Sequence, residues 1–100
     1  MDKSYTGFYK DNQMDGFGVM KWTDGREYRG FWKEDKKHGY GIQTNLDGSS
    51  VSATFIDNKI FGFGIYTSAS NSKKYGVWKQ GKKVATLSDD QVQKMLWKEL

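Results

Sequence analysis

The sequence predicts a mainly β protein: one open, single-layer antiparallel sheet of about seven short strands with a short C-terminal α-helix as a cap. The first observation is a Gly-aromatic-Gly phrase that recurs every 23 residues, a period typical of repeat proteins. Its copies are Gly16-Phe17-Gly18, Gly39-Tyr40-Gly41 and Gly62-Phe63-Gly64. The second observation is that the segments between the predicted strands are too short for a parallel crossover, so consecutive strands pair antiparallel.

Each repeat is predicted to form a β-hairpin. The first arms, at 5–10, 28–33, 51–56 and 74–79, carry the aromatic and β-branched residues that strands prefer. A polar loop of roughly five residues follows, and the second arm begins with the glycine phrase. Asp24-Gly25 and Asp47-Gly48 then suit a second turn, because these dipeptides tolerate positive φ. We therefore expect one domain at 1–100, with repeats at about 5–27, 28–50 and 51–73 and a half repeat at 74–83.

The glycines within the strands are explained by the alternation of side chains along each arm. Tyr5, Gly7 and Tyr9 share one face, so a large ring there can lie over a glycine of the neighbouring strand. The opposite face is also apolar, and a single layer with two apolar faces needs a cover on at least one of them. The apolar residues of that opposite face are Phe8, Phe17, Val19, Phe31, Tyr40, Ile42, Phe63, Ile65 and Val77.

The cap is predicted at about 88–99. Ser88 suits the N-cap and Gln91 the third position of a capping box, while Leu87 and Val92 fit a hydrophobic staple. An apolar stripe at helical spacing follows, formed by Val92, Met95, Leu96 and Leu100. We expect the helix to fold back on the sheet, over the phenylalanine and isoleucine columns. A free helix that docks a partner is the alternative.

These motifs resemble the MORN repeat (membrane occupation and recognition nexus) family over residues 5 to about 83. The best matches are Tyr5-Thr6-Gly7-Phe8-Tyr9 with Gly16, Gly18, Trp22 and Gly25, and Tyr28-Arg29-Gly30-Phe31-Trp32 with Gly39, Gly41 and Gly48. Two departures stand out. Where the family often has Glu, this chain has Phe8, Phe31, Thr54 and Val77, and its third unit has Val51 and Ala53 in place of Tyr and Gly. The resemblance implies phospholipid binding, or an accessory part of a larger lipid kinase or methyltransferase.

The composition argues against catalysis within this chain. The 100 residues include no cysteine and a single histidine, His38, which excludes thiolate sites and Cys–His pairs. The acids fall at turns, where they serve local hydrogen bonding. We expect a non-enzymatic module without cofactor or metal, either a very small protein or an excised domain. The N-terminus lacks the apolar stretch of a signal peptide, so we expect a cytoplasmic protein, associated with membrane or cytoskeleton where it binds there.

Protein binding is the favoured function. Aromatic side chains dominate the hot spots of protein interfaces. The expected anchors lie on the glycine-bearing face: Tyr5, Tyr9, Trp22, Tyr28, Trp32 and Phe55. The unpaired first strand offers an open edge as a second route, for a partner strand or for a homodimer.

Peripheral attachment to anionic phospholipids such as phosphoinositides is the alternative. The net charge is +4, and lysines collect at the hairpin-loop end of the sheet. The expected lipid-binding residues are Lys10, Lys33, Lys36, Lys37, Lys79, Lys82 and Lys83. Nucleic acid is a weaker option, because the lysines are interrupted by acids and the chain has only two arginines.

Overall fold

The computed structural model describes residues 2–99, with the backbone alone described for 95–99. Within this range, eight strands form one sheet and a helix follows. The elements are β1 (Lys3–Lys10), β2 (Gln13–Trp22), β3 (Glu27–Lys33), β4 (Lys36–Thr44), β5 (Ser50–Ile56), β6 (Lys59–Thr67), β7 (Lys73–Lys79), β8 (Lys82–Leu87) and α1 (Asp89–Glu99).

The predicted fold class is confirmed. Each strand pairs antiparallel with its neighbours in the chain, in the order β1 to β8, and the sheet stays open. The strand count is eight rather than about seven. Residues 82–87 lack the glycine phrase, yet they pair with β7 as a second arm, so the predicted half repeat is a full hairpin. β1 pairs only with β2 among the described strands, so its outer edge is open.

The hairpin loops are shorter than predicted: they are two residues long. Lys10 pairs with Gln13 across the first loop, and Asp11 and Asn12 between them have φ of 52° and 66°. Positive φ at both central residues is typical of a type I′ turn, whose twist matches that of the flanking strands. The other three loops have the same signature, at Glu34-Asp35, Asp57-Asn58 and Gln80-Gly81.

A bulge follows each tight turn. Gly7 pairs with Gly18 and Tyr9 with Met14, so β2 contains two more residues than β1 over this stretch. The bulge is centred on Gly16, whose φ of 94° favours glycine, and Gly39 and Gly62 repeat it at 102° and 81°. In the fourth unit an alanine, Ala85, stands at this position, and the bulge there is only one residue longer than its partner.

The turns between repeats are similar in the three places where they occur. Gly25 and Gly48 have positive φ, as predicted, and Asn71 takes that conformation in the third unit, which has no Asp-Gly dipeptide. Asp24 and Asp47 do not have positive φ, but they form the local hydrogen bonds predicted for acids at turns. Their carboxylates accept the backbone N–H of the residue two positions later, at 3.0 and 2.9 Å.

The core lies on the glycine-bearing face of the sheet, which we call the core face. It consists of Met20, Tyr28, Trp32, Ala53 and Phe55. The predicted packing of rings over glycines is present: a Cβ added to Gly18 would overlap Tyr5 and one added to Gly41 would overlap Tyr28.

The helix begins with the predicted capping box. The Ser88 N–H donates to Gln91 Oε1 at 2.8 Å, and the Gln91 N–H donates to Ser88 Oγ at 3.2 Å. α1 contacts β8, and Val92 is buried. Met95, Leu96 and Leu100 of the predicted stripe lie outside the residues whose side chains are described. The expectation that the helix covers the phenylalanine columns is wrong, because those rings are exposed.

Candidate functional site

Three of the six expected protein-binding residues belong to the core. Tyr28, Phe55 and Trp32 are 0, 1 and 5% exposed, whereas Tyr5 and Trp22 are half-buried and Tyr9 is 60% exposed. Edge-to-face contacts join five of the six rings, with centroids 4.9 to 5.6 Å apart; Trp22 instead lies beneath Arg26, 5.2 Å from its guanidinium. A binding role for these residues stays a prediction, and only the exposed parts of Tyr5, Tyr9 and Trp22 are available for it.

Hydrogen bonds fix the polar atoms of these buried rings. The Tyr28 hydroxyl donates to the Phe31 carbonyl at 3.0 Å, and Trp32 Nε1 donates to the Gly18 carbonyl at 3.2 Å. Burial raises the pKa of the Tyr28 hydroxyl above its ordinary value. These interactions stabilise the fold and leave no polar group of the two rings directed at solvent.

The exposed rings lie on the opposite face, which we call the phenylalanine face. Phe8, Phe17, Phe31, Tyr40, Phe61 and Phe63 are between 39 and 67% exposed. The alternation of side chains predicts this face for five of the six rings, Phe61 being the exception, and the helix was expected to cover the phenylalanine columns. The row crosses β1 to β6, about 24 Å at the usual strand spacing. Phe17 contacts Phe31 edge to face at 5.7 Å, and Phe63 stacks on Tyr75 at 6.2 Å.

The row has a notch at Thr54. At this repeat position units 1 and 2 have Phe8 and Phe31, whose Cβ atoms lie 3.3 and 3.2 Å from where a Cβ of Gly16 or Gly39 would be. At Gly62, the equivalent glycine of the third unit, nothing lies within 4 Å of that position, not even the Thr54 Cβ. The register differs there, because Thr54 pairs with Phe61. The space is part of a groove of about 420 Å³ lined by Tyr40, Thr54, Phe61 and Phe63 among others. No motif in the sequence marks this notch, because it depends on the pairing of Thr54 with Phe61.

Five of the seven expected lipid-binding lysines lie together. Lys10, Lys33, Lys36, Lys79 and Lys82 are exposed at the hairpin-loop edge, where Lys33 pairs with Lys36 and Lys79 with Lys82. Lys10, Lys33 and Lys79 each follow a ring of the core face, so by alternation their side chains project on the phenylalanine face. Lys59 closes the third hairpin at the same edge. We call these six residues the lysine rim.

The other two expected lysines lie on the core face. Lys37 Nζ lies 5.1 Å from the Tyr28 ring centroid and 5.8 Å from those of Trp22 and Phe55, and it donates to Gln43 Oε1 at 2.8 Å. Burial, and then the positive charge of Arg26, lower the pKa of Lys37. Lys83 lines a groove of about 360 Å³ beside Trp78 and Lys74. These two lysines are therefore separate from the lysine rim.

Four acids, Asp11, Glu34, Asp35 and Asp57, lie among these lysines in the two-residue hairpin loops, whereas Asp24 and Glu27 lie at the opposite edge of the sheet. Asp35 accepts the Met14 N–H at 2.7 Å, and Asp24 pairs with Arg26 at 2.8 Å. Glu27 pairs with Arg29 at 3.4 Å and with Lys21 at 4.0 Å. Among the described side chains, none forms an ion pair with a lysine of the rim. The rim thus presents ammonium groups to solvent along one side of the exposed rings.

The described residues contain no group of three or more His, Asp or Glu side chains placed to hold a metal ion. α1, at 11 residues, is too short to cross a bilayer.

A comparison with protein-family models finds the MORN repeat three times, at residues 5–25, 28–50 and 52–73. No curated protein matches the chain.

Proposed function

The chain belongs to the MORN repeat family, and from this premise we propose that it is a protein-binding module whose contact surface is the phenylalanine face. MORN repeats are generally binding or scaffold modules, and the repeat itself is non-enzymatic. The family alone favours neither a protein nor a phospholipid as the ligand. The choice rests on the surface of this chain.

The observation that carries the proposal is the row of exposed rings. Six aromatic side chains, each more than a third exposed, lie on five of the six strands from β1 to β6, with the gap at β5. Contiguous apolar surface of this kind marks interaction sites, and aromatic side chains contribute most of the binding energy in protein interfaces. The core face offers fewer candidates, because its largest rings are buried against one another.

The test has two steps. A photo-crosslinking amino acid at position 17 first captures the partner in cells, and the partner is then purified and its dissociation constant measured by calorimetry. Phe17→Ser and Phe31→Ser remove the two rings that contact each other, and each should weaken binding by about 30-fold, a loss of about 2 kcal/mol. The matched control is Tyr9→Ser, which removes a more exposed ring from the core face. A larger loss for Tyr9→Ser would place the contact on the core face and refute the proposal.

The lysine rim favours a second candidate, attachment to anionic phospholipid. Each lysine near an anionic leaflet contributes about 1 kcal/mol, screened within about 8 Å at physiological salt. Flotation with phosphatidylserine or phosphoinositide vesicles at about 50 and 200 mM salt tests it, since the two concentrations differ in screening. Binding that disappears at high salt and in Lys33→Gln/Lys36→Gln supports this candidate. Absence of flotation at both concentrations refutes it.

A further inference from the structure

We propose that the partner of the phenylalanine face is an acidic amphipathic helix, and that the notch at Thr54 receives one of its large apolar side chains. This inference rests on the proposed function and deepens it, because it names the chemistry of the partner. Two observations carry it: the gap in the row of rings, and the unpaired lysines along one side of the row.

The notch is large enough for an apolar side chain, and in units 1 and 2 a phenylalanine of the sheet itself packs beside the equivalent glycine. Phe8 and Phe31 pack beside the bulge glycines of units 1 and 2, whereas in the third unit Thr54 pairs with Phe61 and the space beside Gly62 is empty. Its walls are apolar, since Tyr40 lies on one side and Phe61 and Phe63 on the other. A Leu, Met or Phe side chain from a partner would contact these rings and the backbone of Gly62. The notch therefore gives the row of rings one position that distinguishes partner side chains by their size.

The lysine rim defines the charge of the partner. Lys33 and Lys36 project beside Phe31, and Lys59 beside Thr54 and Phe61, and none of the three is paired within the described residues. The six rim lysines outnumber the four acids of the hairpin loops by two, so a segment that lies along the rings has one flank against a net positive edge. Asp and Glu on that flank gain attraction, and Lys or Arg there is repelled.

The dimensions suit a helix. The row spans about 24 Å, which corresponds to about 16 residues of α-helix at 1.5 Å per residue. An apolar stripe with one charged flank is the pattern of an amphipathic helix that docks into an apolar surface. An anionic membrane offers apolar and negative groups as well, but it has no single side chain for the notch, and the experiment below separates the two.

The experiment selects partners without assuming their sequence. A phage-displayed library of random 16-residue peptides is panned on the full chain, and the best peptide is labelled for fluorescence anisotropy. We expect the selected peptides to have a net negative charge and large apolar residues at helical spacing. Thr54→Phe should weaken the best peptide at least about tenfold because it fills the notch. Lys33→Gln/Lys36→Gln should weaken it about fivefold or more at low salt and less at high salt.

Val77→Phe is the matched control for Thr54→Phe. It introduces the same ring at the same repeat position of the fourth unit, and Val77 does not line the notch. Val77 pairs with Phe63, one wall of the notch, so this variant controls for an added ring on the same face, and its affinity for the peptide should fall clearly less than that of Thr54→Phe. Thermal melts followed by circular dichroism verify that both variants fold, which is expected because Phe already occupies this position in units 1 and 2.

The possible results are distinguishable. If Phe17→Ser weakens the peptide and Thr54→Phe does not, the phenylalanine face is still the binding surface, but the proposed role of the notch is wrong. A peptide that neither variant weakens overturns both proposals. Selected peptides that are neutral or basic overturn the acidic partner. If no peptide is enriched while phosphatidylserine vesicles bind the chain, the face is a membrane surface and the inference fails.

Discussion

The phenol ring of Tyr28 lies directly over Gly41 on the neighbouring strand, with its hydroxyl donating to the Phe31 carbonyl at 3.0 Å. Tyr5 repeats the arrangement over Gly18, and its hydroxyl donates to the Phe8 carbonyl at 2.9 Å. The glycine and the tyrosine are thus two halves of one contact between strands. The second copy is fully buried, while Tyr5 at the start of the sheet is half-buried.

Gly41→Ala should destabilise the protein more than Gly18→Ala. A Cβ at either position overlaps a tyrosine ring, but Tyr5 can move toward solvent and Tyr28 cannot. We expect a loss of about 3 kcal/mol at Gly41 and about 1 kcal/mol at Gly18, the range found for overpacking. Urea denaturation measures both free energies of unfolding. Equal losses would show that both rings adapt equally well.

Tyr28→Phe should cost about 1 kcal/mol at neutral pH, through the lost hydrogen bond to the Phe31 carbonyl. The variant should also lose the decrease in stability that the wild type shows at alkaline pH. Burial raises the pKa of Tyr28 in the folded state above 10.0, so as the pH rises past 10 the unfolded chain releases the phenol proton first and the folded state loses stability. Denaturation at pH 7 to 11 should therefore show the two proteins converging above pH 10. A constant difference would contradict the raised pKa.

Lys37→Met should remove a pH dependence of stability whose sign is opposite to that of Tyr28. The folded state lowers the pKa of Lys37 below 10.5, so it releases this proton before the unfolded chain does. Wild-type stability therefore gains a contribution as the pH rises through the lowered pKa toward 10.5, and the variant gains none. Met already occupies the equivalent position, Met14, in the first unit, so the fold should accept it. Parallel stability curves between pH 7 and 10 would show that Lys37 is not desolvated.

Asn58→Gly and Asn58→Ala should separate two contributions of one turn residue. Asn58 Oδ1 accepts the Lys37 N–H at 2.9 Å, and its φ is 72°. Glycine keeps that conformation but loses the acceptor, at about 1 kcal/mol. Alanine loses the acceptor and is strained as well, at about 2 kcal/mol or more in total. Thermal denaturation measures the stability of both variants. If the alanine variant were the more stable, the backbone at position 58 would not be strained.

The repeat pattern was sufficient to predict the sheet. The period fixes which residues are equivalent, and alternation then assigns Tyr28, Gly30 and Trp32 to one face. The length of the tight turns was not predictable in this way. Polar residues such as Asp15 and His38 suggest a loop, yet they belong to strands, so the loops are shorter than the polar segments. The eighth strand was missed because β8 has Ala85 where the other units have glycine.

The candidate site was only half predictable. The positions of Phe8, Phe17 and Phe31 on one face follow from alternation, but their exposure depends on where α1 lies, and no local pattern determines that. The expected lipid-binding lysines lie on two different faces for a similar reason. Lys36 and Lys37 are neighbours in the chain, yet alternation places one on the rim and the other over the core rings. The notch at Thr54 became visible only when the glycine environments of three units were compared.

The agreement between strand order and chain order has a consequence for how the protein forms. Every strand pairs with the strand next to it in the chain, so the sheet has a low contact order for an all-β protein. Each hairpin closes a loop of two residues, which keeps the entropic cost of closure small. The sheet can therefore grow by adding one hairpin to the last, as repeat arrays do, and it can begin to do so on the ribosome before the C-terminal residues have been synthesised.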